Sequence, residues 1–254
     1  MKKITAVIIL FLLVACGNSK KEDQPEKTTA TNSELKTVSV HAEKFAQRLE
    51  RVHQKEIFQE KGMAEFRMHF DFPEKEKMEQ KVQIATDSTL IRLDRENQIA
   101  IFNGKEIYIS AKDSADVQTY LKLASLFRFP YTLSDPNKKW DSKAISVPDE
   151  NIQAIKFTYT EEPSVLQSPW YVVYSDKRTD LLKGVAFVAP NFKEGKPIAV
   201  LFEKYITVKS VPVATSWKVY SWDEANGIGN ELLGSIKISD ISFPDFDESV
   251  FERK

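Results

Sequence analysis

The sequence feature that most restricts the fold is a long series of segments in which apolar and polar residues alternate. In 64–72 the even positions hold Ala, Phe, Met, Phe and Phe, whereas the odd positions hold Glu, Arg, His and Asp. Because successive side chains of a β-strand point to opposite faces, this segment predicts a strand with one apolar face. Comparable segments predict about ten or eleven strands in all, at 64–72, 78–86, 90–93, 99–102, 105–110, 155–160, 170–174, 185–189, 198–208, 213–222 and 232–243.

Two segments show helical spacing instead. Within 33–58 apolar residues recur every three or four positions, which predicts an amphipathic helix that begins near Ser33 or, alternatively, near Ser39. The same spacing at 113–127 predicts a second helix. We expect a loop that contains Trp140 to follow it.

The helices are too few to cover the predicted sheet. Neighbouring strands lie about 4.8 Å apart and a helix is about 10 Å wide, so each helix covers about two strands. Two helices therefore leave about half of the apolar face uncovered, and that face must curl onto itself or enclose a ligand. We expect a mainly β (α+β) fold in one domain at 35–254, a curled antiparallel half-barrel with two helices covering its concave face.

The apolar residues expected on the concave face are candidates for the lining of a cavity. Curled sheets of this size have an interior that side chains just fill or that holds a small ligand. Two interpretations stay open, a ligand cavity and a closed core packed by the same residues. The candidate ligand-binding residues are Phe66, Met68, Phe70, Phe72, Phe157, Tyr159, Trp170 and Tyr174.

The N-terminal segment has the features of a targeting signal. A basic start at 1–3 precedes an apolar stretch at 4–15 that is well short of the ~20 residues needed to span a bilayer. The run Leu-Val-Ala-Cys-Gly at 13–17 resembles the lipobox of bacterial lipoproteins, in which the cysteine is acylated and becomes the new N-terminus. The resemblance implies a lipoprotein signal peptide at 1–15 and a lipid on Cys16, the single cysteine of the sequence. An ordinary secretion signal is the alternative.

The residues that follow are polar and lack large aliphatic and aromatic side chains. We therefore expect 16–34 to be the lipidated cysteine and a disordered tether with a reach of roughly 20–25 Å. Gly17, rather than an aspartate, follows the cysteine, which favours the outer membrane. The tripeptide Lys-Glu-Asp at 21–23 resembles the surface-export signal of some Bacteroidetes-type lipoproteins, although a plain solvated tether explains it equally well. The expected location is the outer membrane, at its periplasmic face or at the cell surface.

The residue types that catalysis and metal binding require are not grouped in this sequence. There are 36 Lys and Arg residues against 37 Asp and Glu residues, a net charge of −1, which argues against a nucleic-acid partner. His41, His53 and His69 lack the spacing of a zinc site, and one cysteine cannot form a multi-cysteine site. No nucleophile elbow and no phosphate-binding glycine loop occurs in the sequence. We expect a protein that is not an enzyme and that has no metal and no cofactor.

The order of the predicted elements resembles a known family. An amphipathic N-terminal helix, a strand that follows Gly62, a long antiparallel meander, a midchain helix and the ending 243–251 are similar to the lipoprotein-carrier fold of the LolA/LolB type. The chain also resembles Bacteroidetes-type outer-membrane lipoproteins of a domain-of-unknown-function family. The resemblance covers about 42–251 and implies a hydrophobic pocket for acyl chains or other lipids. No functional residue of the carriers matches a position of this sequence.

Two functions agree with these observations. The resemblance and the expected anchor predict a lipid-anchored envelope protein that binds or relays a hydrophobic ligand, a lipid or an acyl chain. The alternative is a non-catalytic scaffold or interaction subunit of an outer-membrane complex with an unknown protein partner.

The lipid anchor leads to a direct prediction. Replacing Cys16 by serine removes the thiol that would be acylated, so Cys16→Ser should move the protein from the membrane fraction to the soluble fraction of the cell envelope. Ser19→Ala, three residues away, should leave it in the membrane fraction. Fractionation followed by immunoblotting makes the comparison, and unchanged membrane association of Cys16→Ser would contradict the anchor.

Overall fold

The computed structural model describes residues 32–252 except 74, 97, 111–115, 142, 144, 148 and 190–194, and it describes no side chains for 32–40. The expected signal peptide, the lipid on Cys16 and the tether up to residue 31 lie outside the described residues. The expected start of the second helix at Asp113 lies outside them too. These expectations stay predictions.

In the described part of the chain, twelve strands form one antiparallel sheet. Their spatial order is β5-β4-β3-β2-β1-β12-β11-β10-β9-β8-β7-β6, so neighbours are consecutive in the chain everywhere except where β1 meets β12. The sheet is open, with β5 and β6 at its two free edges. The strands are β1 Met63–Asp71, β2 Met78–Ala85, β3 Leu90–Arg95, β4 Gln98–Asn103, β5 Ile107–Ile109, β6 Lys138–Asp141, β7 Ile152–Tyr159, β8 Trp170–Asp176, β9 Leu182–Val188, β10 Pro197–Val208, β11 Val211–Asp223 and β12 Gly227–Ser242.

The alternating segments are confirmed as strands, but one strand was missed. β6 was expected to be a loop, and it carries a single apolar residue, Trp140, among charged neighbours. Trp140 contacts the ring of Phe45 at 6.1 Å and that of Phe157 at 5.0 Å between centroids. A four-residue edge strand with one inward residue shows no alternation. The sequence therefore predicted ten or eleven strands where the described residues form twelve.

The described residues form three helices where two were expected, and two 3-10 turns at Phe129–Tyr131 and Glu248–Phe251. The first expected helix is divided at Gln54, whose φ of 60° is left-handed and interrupts α-helical geometry. The second is confirmed over a shorter range. The helices are α1 Asn32–Val52, α2 Lys55–Gln59 and α3 Val117–Ser125.

The sheet is strongly curled. β4 and β7 are nine strand spacings apart in the sheet order, which would separate them by about 43 Å in a flat sheet. Phe102 of β4 and Tyr159 of β7 nevertheless line one cavity of about 80 Å³. The two halves of the sheet therefore face each other, in agreement with the predicted half-barrel. The described part of the chain that joins the free edges, from α3 through the turn Phe129–Tyr131, packs in the core between them.

Aromatic side chains fill most of the concave side. Phe127, just after α3, stacks on Phe66 of β1 with 4.1 Å between ring centroids. Tyr131 of the following turn stacks on Phe58 of α2 at 3.8 Å. Leu166, from the loop between β7 and β8, is also buried in this core. Irregular segments thus cover part of the face that two helices alone would leave exposed.

The convex face carries two smaller apolar clusters that are likewise covered by irregular segments. Phe251 of the C-terminal turn packs in a cluster with Ile101 of β4. Ile145 and Val147, from the segment between β6 and β7, pack against a cluster that contains Val172 of β8. The apolar side chains of the strands are therefore divided between the concave and the convex face of the sheet.

His53 lies at the break between α1 and α2 and is buried. Its Nδ1 lies 2.8 Å from the carbonyl oxygen of Leu49, and its ring meets Tyr205 edge-on at 5.8 Å. Burial lowers its pKa to about 4, although the hydrogen bond to Leu49 opposes the shift. The ring is therefore neutral near pH 7.

The burial of His53 should make the protein less stable in mild acid. The unfolded chain binds a proton at this histidine near pH 6.5, whereas the folded chain does so only near pH 4. Stability is therefore lost as the pH falls between these values, in total by about 3 kcal/mol. Urea unfolding at pH 7, 6 and 5 should show this slope in the wild type and in the control His41→Gln, which alters an exposed histidine. A slope that His53→Gln leaves unchanged would contradict the assignment.

The stack on Phe66 should be a main source of stability. Phe66→Ala removes a fully buried ring and leaves a cavity, so we expect a loss of about 3–5 kcal/mol in the free energy of unfolding, measured by urea titration. Phe246→Ala, at a ring that is 45% exposed, should cost much less. Equal effects of the two substitutions would show that the core does not depend on this stack.

Candidate functional site

Six of the eight candidate lining residues lie together on the concave face of the sheet. Phe70 packs on Tyr120 at 4.9 Å and Phe157 on Tyr171 at 5.3 Å between ring centroids. These contacts fill the middle of the concave side, where the closed-core interpretation applies. A role in ligand binding stays a prediction for these residues, which are Phe66, Met68, Phe70, Phe72, Phe157 and Tyr159.

The placement of Trp170 and Tyr174 beside those six is wrong. Both lie on the convex face, where the Trp222 Nε1 donates a hydrogen bond of 2.7 Å to the Tyr174 hydroxyl and the Trp170 ring lies 4.9 Å from that of Trp222. Tyr171 of the same strand occupies the concave face instead. Because β8 is apolar on both faces, alternation offers no polar face by which to orient it.

A pocket of about 450 Å³ lies between the start of α3 and the edge of the sheet formed by β2–β5; we call it the edge pocket. None of the eight candidate residues lines it. Its lining combines an apolar wall with four polar residues: Leu93, Ile99, Ala100, Ile109, Val117 and Tyr120, with Gln80, Arg95, Gln98 and Asp116.

Gln80 is the buried polar group of the edge pocket. Its side chain is on the inward side of β2, between the inward-facing Met78 and Val82. The Nε2 donates to the Met78 Sδ at 3.2 Å, and the Oε1 is buried with no hydrogen-bond partner among the described residues. An unpaired buried amide oxygen costs free energy, so a ligand that donates a hydrogen bond here would recover it.

The rim of the edge pocket is charged. Asp116, just before α3, binds the Nζ of Lys75 at 2.9 Å. Arg95 of β3 forms no ion pair with any described residue. Burial raises the pKa of Tyr120, whereas the positive charges of Lys75 and Arg95 lower it, so its hydroxyl is protonated at neutral pH. Among the described residues, the rim thus presents one guanidinium without an ion-pair partner, which favours a ligand with a polar or negatively charged end.

Only part of this site had a signal in the sequence. Gln80 is a polar residue on an otherwise apolar strand face, a pattern that marks either a buried hydrogen bond or a site. The pocket itself depends on how far α3 stands from β3 and β4. That distance follows from tertiary packing, and no spacing of residues encodes it.

Solved structures that are similar to this fold include the following three. A DUF1329 family protein from Desulfovibrio piger has a TM-score of 0.53 and 12% identity, covering 85% of this chain and 98% of its own. A LolA superfamily protein from Nitrosomonas europaea has a TM-score of 0.47 and 9% identity, covering 82% of this chain and 97% of its own. An outer membrane lipoprotein-sorting protein domain from Vibrio parahaemolyticus has a TM-score of 0.47 and 10% identity, covering 84% and 97%.

These likenesses are likenesses of fold. The first of them shows that the described chain shares its fold with a known structure, and the low identity extends the likeness no further. No protein-family model matches the sequence, and no curated protein matches it significantly.

Two further properties concern the described residues only. None of their helices combines the length and the apolarity that crossing a bilayer would require. No three of their histidine and carboxylate side chains are grouped as ligands of a metal ion would be.

Proposed function

We propose that this protein is a lipid-anchored envelope protein that binds a small amphiphilic ligand, such as a lipid or an acyl chain, in the edge pocket. The observation that carries the proposal is a pocket of about 450 Å³ with an apolar wall and one buried, unpaired amide oxygen at Gln80. Its volume falls within the range of about 300–1,000 Å³ that is usual for small-molecule sites.

The lining of the edge pocket suits a chain with a polar end. Burying each methylene group against the apolar wall would contribute about 0.8 kcal/mol. The amide of Gln80 and the guanidinium of Arg95 would orient the polar end. We propose binding without catalysis, because an amide, a guanidinium, a neutral phenol and an aspartate paired with lysine can hold a ligand but include no activated nucleophile or base.

The expected location in the cell would suit the same function. A lipid on Cys16 would hold the folded domain within the roughly 20–25 Å reach of the tether from a membrane. Lipids and acyl chains are concentrated there, so a pocket of modest affinity would still be occupied. Binding or relay of a hydrophobic ligand at the outer membrane follows from the anchor and the pocket together.

A charge in the apolar wall should abolish binding. We expect Ile109→Asp to weaken saturable binding of a dansyl-labelled fatty acid at least tenfold, because a carboxylate would have to be desolvated by the chain. The full-length protein in phosphatidylcholine nanodiscs is titrated, with empty nanodiscs as the blank. Ile206→Asp alters an exposed isoleucine of β10 in the same chemical way and should bind like the wild type. No saturable binding by the wild type, or equal binding by both variants, would refute the proposal.

The second candidate function is a non-catalytic scaffold of an envelope complex. It is favoured by the packed middle of the concave side, since a filled core suits a rigid docking platform better than a carrier. A stable partner recovered by cross-linking, together with no fatty-acid binding by the wild type, would favour this candidate.

A further inference from the structure

A second cavity lies at the C-terminal end of α3, where the two halves of the curled sheet meet; we call it the α3-end cavity. Its volume is about 80 Å³. No carboxylate side chain is among the described residues that line it. Its polar side chains include Thr89, Ser125, Arg128, Thr132, Tyr159 and Ser164.

Arg128 brings into this cavity a positive charge that the described part of the protein does not neutralise. Its Nη1 atom is buried and has no hydrogen-bond partner there. Burial lowers its pKa, while the charges of Asp135 and Asp87 raise it from a distance. Neither carboxylate forms an ion pair with Arg128, and Asp135 instead binds Lys138 at 3.2 Å. Because arginine stays protonated in proteins, the Nη1 of this guanidinium is a charged donor without an acceptor among the described residues.

Neutral hydrogen-bond donors accompany this charge. Burial raises the pKa of Tyr159, so its phenol remains protonated, and a hydrogen bond joins it to Gln167. The Oε1 of Gln167 accepts the backbone N–H of Ser164 at 2.8 Å, which holds that loop in place. The hydroxyls of Ser125 and Thr132 already donate to backbone carbonyls. The Tyr159 oxygen accepts the hydrogen bond from Gln167, because that bond lowers the pKa of the phenol. The phenol O–H therefore remains a donor for a ligand, together with the guanidinium and the hydroxyls of Thr89 and Ser164.

The size of the cavity limits what these donors can hold. A water-sized group needs about 10–15 Å³, so the cavity has room for roughly five such groups. A carboxylate or a phosphate group has this size, carries the complementary charge and matches the fork of a guanidinium. We propose that the α3-end cavity binds an oxyanion, a carboxylate or phosphate group, that pairs with Arg128.

The oxyanion is either a free ion or the head of an amphiphile. β3 and β4 line both cavities, with Leu93 and Ala100 in the edge pocket and Ile91 and Phe102 in the α3-end cavity. An amphiphile held by its head at Arg128 would direct its chain along α3 toward the edge pocket. That version rests on the proposed function, whereas a free oxyanion does not.

Calorimetric titration of the full-length protein in phosphatidylcholine nanodiscs tests the proposal, with empty nanodiscs as the blank. The probes are inorganic phosphate, acetate, octanoate and octyl phosphate. We expect saturable binding of at least one of them by the wild type and an at least tenfold weaker affinity in Arg128→Gln. Arg128→Lys should retain part of the affinity because it keeps the charge, and Arg95→Gln should retain the affinity for the two small anions because Arg95 lines only the edge pocket.

The pattern across the probes separates the two sources. Binding of phosphate or acetate supports a free oxyanion, and binding of only the octyl compounds supports an amphiphile head. Binding of none of the four, or equal binding by the wild type and Arg128→Gln, overturns the proposal. Octanol carries no oxyanion, so its binding by the wild type and by Ile109→Asp tests the proposed function separately. The oxyanion site and the proposed function can therefore each fail while the other stands.

Protein folding is checked by the thermal midpoint without ligand. Arg128→Gln removes an unpaired buried charge, so without ligand this variant should melt no lower than the wild type. The oxyanion that binds should raise the thermal midpoint of the wild type and leave that of Arg128→Gln unchanged. If Arg128→Gln does not fold, Tyr159→Phe, which removes one donor and keeps the ring, should bind the anion several-fold more weakly. Undiminished binding by that variant would then count against the site.

Discussion

The structure depends on covering the concave face of a sheet that is too broad for its own helices. The segment that leaves β5 and reaches β6 does so, because α3 and the turn after it insert aromatic rings between the two halves of the sheet. Phe127 stacks on Phe66, and Phe129 lies 5.2 Å from Tyr171 between ring centroids. These rings fill the middle of the concave side, and the edge pocket and the α3-end cavity lie near the two ends of α3.

Buried polar side chains occur in the packed core as well as beside the two cavities. In the core, the Nζ of Lys122 lies 5.7 Å above the ring of Phe187, and burial lowers the pKa of this amine to about 8. Five described residues have a buried polar side-chain atom without a hydrogen-bond partner, and two of them, Gln80 and Arg128, line the edge pocket and the α3-end cavity. Unsatisfied polar atoms are costly in a dry core and are tolerated where water or a ligand can reach them. The positions of Gln80 and Arg128 therefore agree with the two proposed binding sites.

Much of this architecture was predictable from the sequence. Alternation identified every strand whose inward positions are apolar, and helical spacing identified α1 and α3. Alternation failed at β6, which has one inward residue. It also failed at β8, where both faces are apolar and Trp170 and Tyr174 were wrongly placed on the concave face. Counting helices also underestimated how much of the concave face is covered. Irregular segments, such as the one that carries Leu166, bury side chains against that face without a periodic pattern in the sequence.

The sequence by itself determined the secondary structure, the antiparallel meander and the apolar character of the interior, because periodicity and turn residues act locally along the chain. Only the tertiary structure decided which face of β8 is inside, how the free edges of the sheet approach each other, and where the voids lie. These properties depend on the volumes of side chains that are far apart in sequence, such as Phe66 with Phe127 and Phe102 with Tyr159. The candidate site belongs to this second group, since a cavity is the space that packing leaves unfilled.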